Sequence, residues 1–302
     1  MNSVSSFTFE QKQQCFLKLQ DFLENKLKNN EPFFVGRLSG NEPNLCGKVL
    51  NKQNIPKKLI FEMIHTAGIH FTCNDDVKEY VRLYTQSCQK CHMLGIWCGG
   101  MYFQGEILYN LIKKLNKEQI DICAQALEPY YFMENSEYKF NELFKNKKVL
   151  IITSHLNSTK KQLDNISVIH KKNIFHESTQ FYVYKTTQQN GGNFDGQSWL
   201  IHMNKMKNDI SNLKEEFDFD VAFVSCGGFG MLLCNFIYSN LNKNVIYVGG
   251  ALQLYFGIMG NRWRTNENIL KLKNDKWINV LESDKPPLLK NDSQLCENSC
   301  YW

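Results

Sequence analysis

The stretch Val221-Ala222-Phe223-Val224-Ser225-Cys226-Gly227-Gly228-Phe229-Gly230, continued by Met231 to Leu241 and closed by Val245-Ile246-Tyr247-Val248-Gly249-Gly250, decides how the chain folds. Its first run is apolar and ends at glycines. Its middle has a helical pattern and stops at Asn242-Lys243-Asn244, and its last run is again β-branched and apolar. Strands at 220–226 and 245–249 joined by this helix have the length and order of a β-α-β crossover. Such a crossover is right-handed and makes its two strands parallel. In an open parallel sheet, ligands sit at the carboxyl ends of the strands, where loops part and helix amino termini point inward. Both glycine turns fall there. Cys226-Gly227-Gly228-Phe229-Gly230 either offers bare amides to an anion or simply meets a need for positive φ. Gly249-Gly250 leaves space beside the neighbouring strand, so one ligand could lie across both ends.

Outward from this unit, Lys147 to His155 is a continuous β-branched run, as expected of a strand buried on both faces, and 180–185 is a further candidate strand. Phe33 to Leu38 is a short strand that ends in Ser39-Gly40-Asn41-Glu42-Pro43. Residues 9–29 place Cys15, Phe16, Leu19, Phe22, Leu23 and Leu27 at helical spacing. The stretch 56–128 reads as mainly helical, broken by an apolar patch at Met93 to Trp97 and by Gly99-Gly100. No repeat or Pro-rich linker divides the chain. The expectation is one α/β domain over 1–290, with a Rossmann-like, mainly parallel sheet flanked by helices and a helical insert at about 56–128. A loose tail follows at 291–302.

Composition narrows the function. Of 302 residues, 43% are hydrophobic and 22% charged, the make-up of a packed globule. The 35 basic and 30 acidic residues are interleaved without a basic block, which argues against a nucleic-acid partner. Met1 to Gln20 has no charged-then-apolar run, and Val221 to Tyr238 is cut by Gly227, Gly228 and Gly230, so neither a leader nor a transmembrane segment is expected. The protein should be cytoplasmic or peripheral at the cytosolic face of a membrane. Eleven cysteines, mostly within apolar segments, read as reduced thiols. Cys88-Gln89-Lys90-Cys91-His92 has the spacing of a c-type haem attachment or half a zinc site, or is a plain helix-to-strand segment. Haem attachment goes with export, and a second CxxC pair is missing.

Several side chains near the strand ends could carry chemistry. Glu42 precedes Pro43, a residue favoured at the first position of a helix, so Ser39 or Asn41 would cap and leave Glu42 free for a ligand or metal. Otherwise Glu42 is a solvated carboxylate favoured by the helix dipole. Ser154 and His155 close the most apolar strand, and Ser158-Thr159-Lys160-Lys161 at the next helix start could hold a phosphate, although a strand-end histidine often just hydrogen-bonds a loop. Gln253 and Arg262-Trp263-Arg264 add an amide, guanidinium groups and an aromatic plane suited to a sugar or nucleotide diphosphate. No nucleophile elbow or hydrolytic triad is visible.

Together these segments resemble a glycosyltransferase-like family of polysaccharide gene clusters related to the GT-D fold type. The resemblance rests on Gly36 to Glu42, Leu127-Glu128-Pro129-Tyr130-Tyr131, Ile151 to His155, Phe217 to Ala222, and above all Gly249 to Trp263. Glu297 and Cys300-Tyr301-Trp302 close the chain as in the family. It implies a site for a nucleotide-sugar donor, formed here by Arg37, Ser39, Asn41, Ser154, His155, Gly227, Gly228, Gly249, Gly250, Gln253, Arg262 and Trp263, and a glycan or lipid-linked acceptor. It also implies a divalent metal, Mn or Mg, on an Asp-x-Glu motif. Glu42 matches the motif's Glu as catalytic residue and metal ligand, but Gly40 stands where the Asp belongs. Weaker metal binding, help from a side chain such as His155, or work without metal would follow. The leaving diphosphate would be stabilised by Gly227, Gly228 and Arg262. The alternatives are an inactive nucleotide- or sugar-binding protein of the same fold, a haem or zinc protein, and a methyltransferase, for which the glycine-rich turn after the first strand is lacking.

Overall fold

The computed structural model describes residues 6–98, 100–287, 296 and 299–302, leaving aside the side chains of 100–103, 192 and 214. Helix α1 (Phe9–Lys28) precedes β1 (Phe34–Arg37), and α2 (Asn41–Leu50), α3 (Lys57–His65) and α4 (Asn74–Lys90) lead to β2 (Met93–Ile96). Then come α5 (Gly100–Leu115), β3 (Ile120–Cys123), β4 (Lys148–Thr153), α6 (Leu156–Leu163), β5 (Gln180–Lys185), α7 (Trp199–Glu216), β6 (Val221–Ser225), α8 (Gly230–Leu241) and β7 (Asn244–Tyr247). The seven strands form one parallel sheet in the order β3-β2-β1-β7-β6-β4-β5. The β6-α8-β7 crossover is present as expected, in register from Val221 opposite Asn244 to Val224 opposite Tyr247.

The sheet is buried on both faces, which is why its strands read as unbroken apolar runs. Phe34, Leu150, Ile152, Ala222, Val224 and Val245 pack toward α2, α4, α7 and α8, hereafter the α8 face. Val35, Val149, Ile151, Val221, Phe223 and Ile246 pack toward α1 and the irregular segments around 126–144 and 251–259, the α1 face. Helix α1 begins in a capping box of Thr8 and Gln11 and buries Phe16, Leu19 and Leu23. Helix α8 stops where Asn242 adopts a left-handed conformation at φ 54°.

Two expectations need correction. The stretch 56–128 is not only helical: it supplies β2 and β3, which extend the same sheet beyond β1. Each is four residues long, too short to show the alternation that marks a strand. The end of the chain is also not loose where it is described. The amide of Asn261 donates to Trp302 O (3.2 Å), that of Arg262 to Cys300 O (2.9 Å), and the Trp302 indole to Asp284 O (3.3 Å). Glu297 lies outside the described residues. The Cys88 to His92 segment joins α4 to β2: Cys88 and Cys91 are buried, and His92 Nδ1 accepts the amide of Phe34 (3.1 Å). No helix among the described residues is long and apolar enough to cross a membrane.

Candidate functional site

Six of the seven strands end at a cleft of about 470 Å³. Arg37 and Ser39 reach it from β1, Trp97 from β2, and Tyr247 and Gly250 from β7. Ser225 to Gly227 come from β6, Ser154 and His155 from β4, and Thr186 and Thr187 from β5. The cleft therefore occupies the carboxyl edge that the crossover points to, and the two layers that cover the sheet form its walls.

The wall on the α1 face is basic. Side chains alternate along β1, so Arg37 leaves the strand on the same side as Val35. Its guanidinium lies over the Trp97 ring, 5.3 Å from the centroid, and against Gly249. Gly249 has φ +68°, and any Cβ there would collide with that guanidinium. Arg37 Nε is buried with no hydrogen-bond partner among the described residues. The Tyr301 ring fills the equivalent space beside Gly250. Arg262 lies over that ring at 4.8 Å and donates to the Tyr301 hydroxyl (3.3 Å). The two glycines thus make room for one cation and for the aromatic support of another. Only 4 of the 35 basic residues are arginines, and two of those line the cleft, where no lysine does among the described residues. Behind the wall, Glu128 is buried and accepts the Tyr130 hydroxyl (2.9 Å). Burial raises its carboxyl above the ordinary range, and the positive charge of Arg37 partly offsets this.

The wall on the α8 face is acidic and hydroxyl-rich. Helix α2 starts at Asn41 with Gly40 at the cap, and no side chain caps it, so neither Ser39 nor Asn41 plays the expected role and Pro43 is the third helical residue. Ser39 instead donates its hydroxyl to Glu42 Oε2 and sits 3.4 Å from the Tyr84 hydroxyl. Glu42 is only 5% exposed. Burial, then the charge of Glu42, holds the phenol of Tyr80 well above its usual range, and burial dominates at Tyr84 and Tyr247 too, with Glu42 adding to it. Glu62 of α3 and Thr66, at its C-cap, line the cleft, and Asn190 closes this side by donating to Thr66 O (2.6 Å).

Several expected anion donors are already occupied. The Gly228 amide donates to Ala67 O (2.8 Å) and its carbonyl accepts the Tyr80 hydroxyl (2.8 Å), while Gly227 O accepts the Tyr247 hydroxyl (2.9 Å). At the start of α6, the amides of Asn157 and Ser158 donate to the Asp284 carboxylate (3.0 and 2.6 Å), which fills the place proposed for a phosphate. Gln253 and Trp263 are buried outside the cleft. Gln253 donates to Ile258 O (3.1 Å), and the Trp263 ring stands behind Tyr301 at 6.3 Å. Gly228 and Gly249 do not line the cleft either. His155 does, but it is buried and its Nε2 is 3.2 Å from Tyr301 O, which makes that nitrogen the protonated one. Burial lowers its pKa to about 4, against the opposing pull of Asp284, so it is neutral at pH 7.

These groups do not form a protein-only metal site. Gly40 contributes no ligand, and no three His, Cys, Asp or Glu side chains converge among the described residues; the lone-pair nitrogen of His155, Nδ1, is buried without a hydrogen-bond partner among them. Sequence reasoning missed Glu62, Trp97, Asn190 and Tyr247 as lining residues. Their local patterns show only helix, strand end and loop, whereas Tyr301-Trp302 carried a signal in the family-like chain ending. A family model described as the GT-D fold-like domain matches residues 18–255, which include all seven strands. No curated protein and no solved structure matches the chain.

Proposed function

The chain belongs to the GT-D-like family, and from that premise we propose that it is a glycosyltransferase. It moves a sugar from a nucleotide-sugar donor to a glycan or glycoconjugate acceptor, in the cytoplasm or at its membrane face. The observation that carries this reading is the pair of arginines, each laid on an aromatic ring, at the carboxyl edge of a parallel sheet. A nucleoside diphosphate gains negative charge as it leaves. Planar guanidinium groups meet it with paired hydrogen bonds that a lysine cannot make. Arg37 and Arg262 take this role, beside Gly227 in the cleft, while the Gly228 amide is already bonded to Ala67 O. Glu42, fixed by Ser39, faces the donor sugar and accepts its hydroxyls. Mn²⁺ or Mg²⁺ would enter with the diphosphate, because such ions bind through one or two carboxylates together with substrate phosphates.

Titration calorimetry with UDP, GDP and their sugars, with and without Mn²⁺, tests the proposal when paired with an assay of sugar release and transfer. Expected are nucleotide binding and transfer. Gly40 in place of the motif's Asp favours a second reading, a binding protein without turnover, and binding with neither release nor transfer selects it. No binding to any nucleotide would sink both.

A further inference from the structure

Successive residues of a helix are about 100° apart, so α3 carries three stripes. Leu59 and Met63 point into the core, and Glu62 and Thr66 line the cleft. Phe61 and His65 form the next stripe outward, their ring centroids 4.1 Å apart, with Phe61 53% exposed. The two acidic side chains that line the cleft among the described residues, Glu42 and Glu62, differ sharply. Glu42 is buried and takes the Ser39 hydroxyl, whereas the Glu62 side chain is 33% exposed, with Lys58 Nζ 3.8 Å away. Glu62 lines the same cleft as Arg37 and Arg262, so a ligand that fills the cleft from the arginines meets this carboxylate.

We propose that α3 is the acceptor site, where Glu62 takes the proton of a carbohydrate hydroxyl and Phe61 supports the flanking sugar of a glycan. This rests on the donor reading above. In the step, the acceptor oxygen bonds to the anomeric carbon while its proton passes to the Glu62 carboxylate. The bond from that carbon to the diphosphate breaks, and its electron pair goes to the diphosphate oxygen held by Arg37 and Arg262. One such displacement inverts the anomeric carbon. A pyranose ring has an apolar C–H face that an exposed aromatic ring covers while the hydroxyls stay in water or reach groups such as Thr66 and Asn190.

The test uses the full chain with UDP- and GDP-sugars as donors and p-nitrophenyl mono- and disaccharides as acceptors. The product should be inverted by NMR. Glu62→Gln should lower kcat by about 100-fold or more, the usual weight of a general base, and leave nucleotide affinity unchanged. Formate should restore transfer to Glu62→Ala. Phe61→Ala should raise KM for disaccharides by roughly three- to tenfold, the span of one aromatic contact, with kcat kept. Wild-type turnover by Glu62→Gln, retention at the anomeric carbon, an unchanged KM in Phe61→Ala, or transfer to none of these glycosides by a protein that binds UDP or GDP would overturn the acceptor site and leave the donor reading standing. Failure to bind any nucleotide would overturn the donor reading first.

Discussion

Arginine at positions 37 and 262 supplies what the abundant lysines cannot: a flat cation that stacks on a ring and presents two parallel donors. Arg37→Lys should therefore weaken UDP or GDP binding by about tenfold and Arg37→Ala by more, as charge-assisted hydrogen bonds contribute about 1.5–3 kcal/mol each. Calorimetry on the two variants checks this. Gly249 acts on the same group from the backbone side. Gly249→Ala would place a Cβ at φ +68° and against the Arg37 guanidinium. It should cost roughly 1–2 kcal/mol of stability as well as nucleotide affinity. Arg37→Ala should lose more affinity and, because Arg37 also packs on Trp97 and offsets the burial of Glu128, some stability, so thermal melts run beside the calorimetry show how much of the Gly249→Ala effect passes through Arg37. Glycine at 249 was visible in the sequence, but its purpose was not. The residue it makes room for lies 212 positions away.

At the scale of elements, helix ends are satisfied from distant parts of the chain. Asp284 is fully buried and its carboxylate accepts two amides at the start of α6, while Ser158 Oγ accepts the amide of Leu281 (3.0 Å). The carboxylate also complements the positive end of the helix dipole. Asp284→Ala leaves the buried Ser158 amide and the part-buried Asn157 amide without a partner and should lower stability by about 2–3 kcal/mol. Urea denaturation would show this as a lower midpoint at unchanged slope, and an unshifted midpoint would remove Asp284 from the role of cap. The same contact explains why Ser158 to Lys161 misled as a phosphate site: the local signal of an open helix start was real, and an aspartate 126 residues later closed it. Long elements with strong periodicity, such as α1, α8 and β4, were legible. The four-residue strands β2 and β3 were not, because so short a buried run has no period to read.

The whole molecule holds neutral histidines in its interior. Burial lowers the pKa of His155 and of His170 to about 4 each, from an ordinary 6.5. Below pH 6.5 the unfolded chain takes up protons that the folded chain refuses, so stability is complete above about pH 6.5 and falls as pH drops toward 4. Each group contributes up to about 3 kcal/mol across that window. Denaturation curves between pH 4 and 7 should show unfolding free energy rising with pH, and a flat profile would remove both histidines from this account. The sequence by itself determined the β-α-β unit, the parallel sheet and the edge at which the cleft lies, because strand burial, helix period and glycine turns are local patterns. Tertiary structure alone decided which side chains face the cleft and which donors remain free. Strand parity turned Arg37 toward the α1 face, and the phase of α3 turned Glu62 toward the cleft. Ala67 O and Asp284 took the amides of Gly228 and Ser158, and Tyr301 came to lie on Gly250. Each of these depends on which distant segments pack together, and local sequence periodicity carries no information about that.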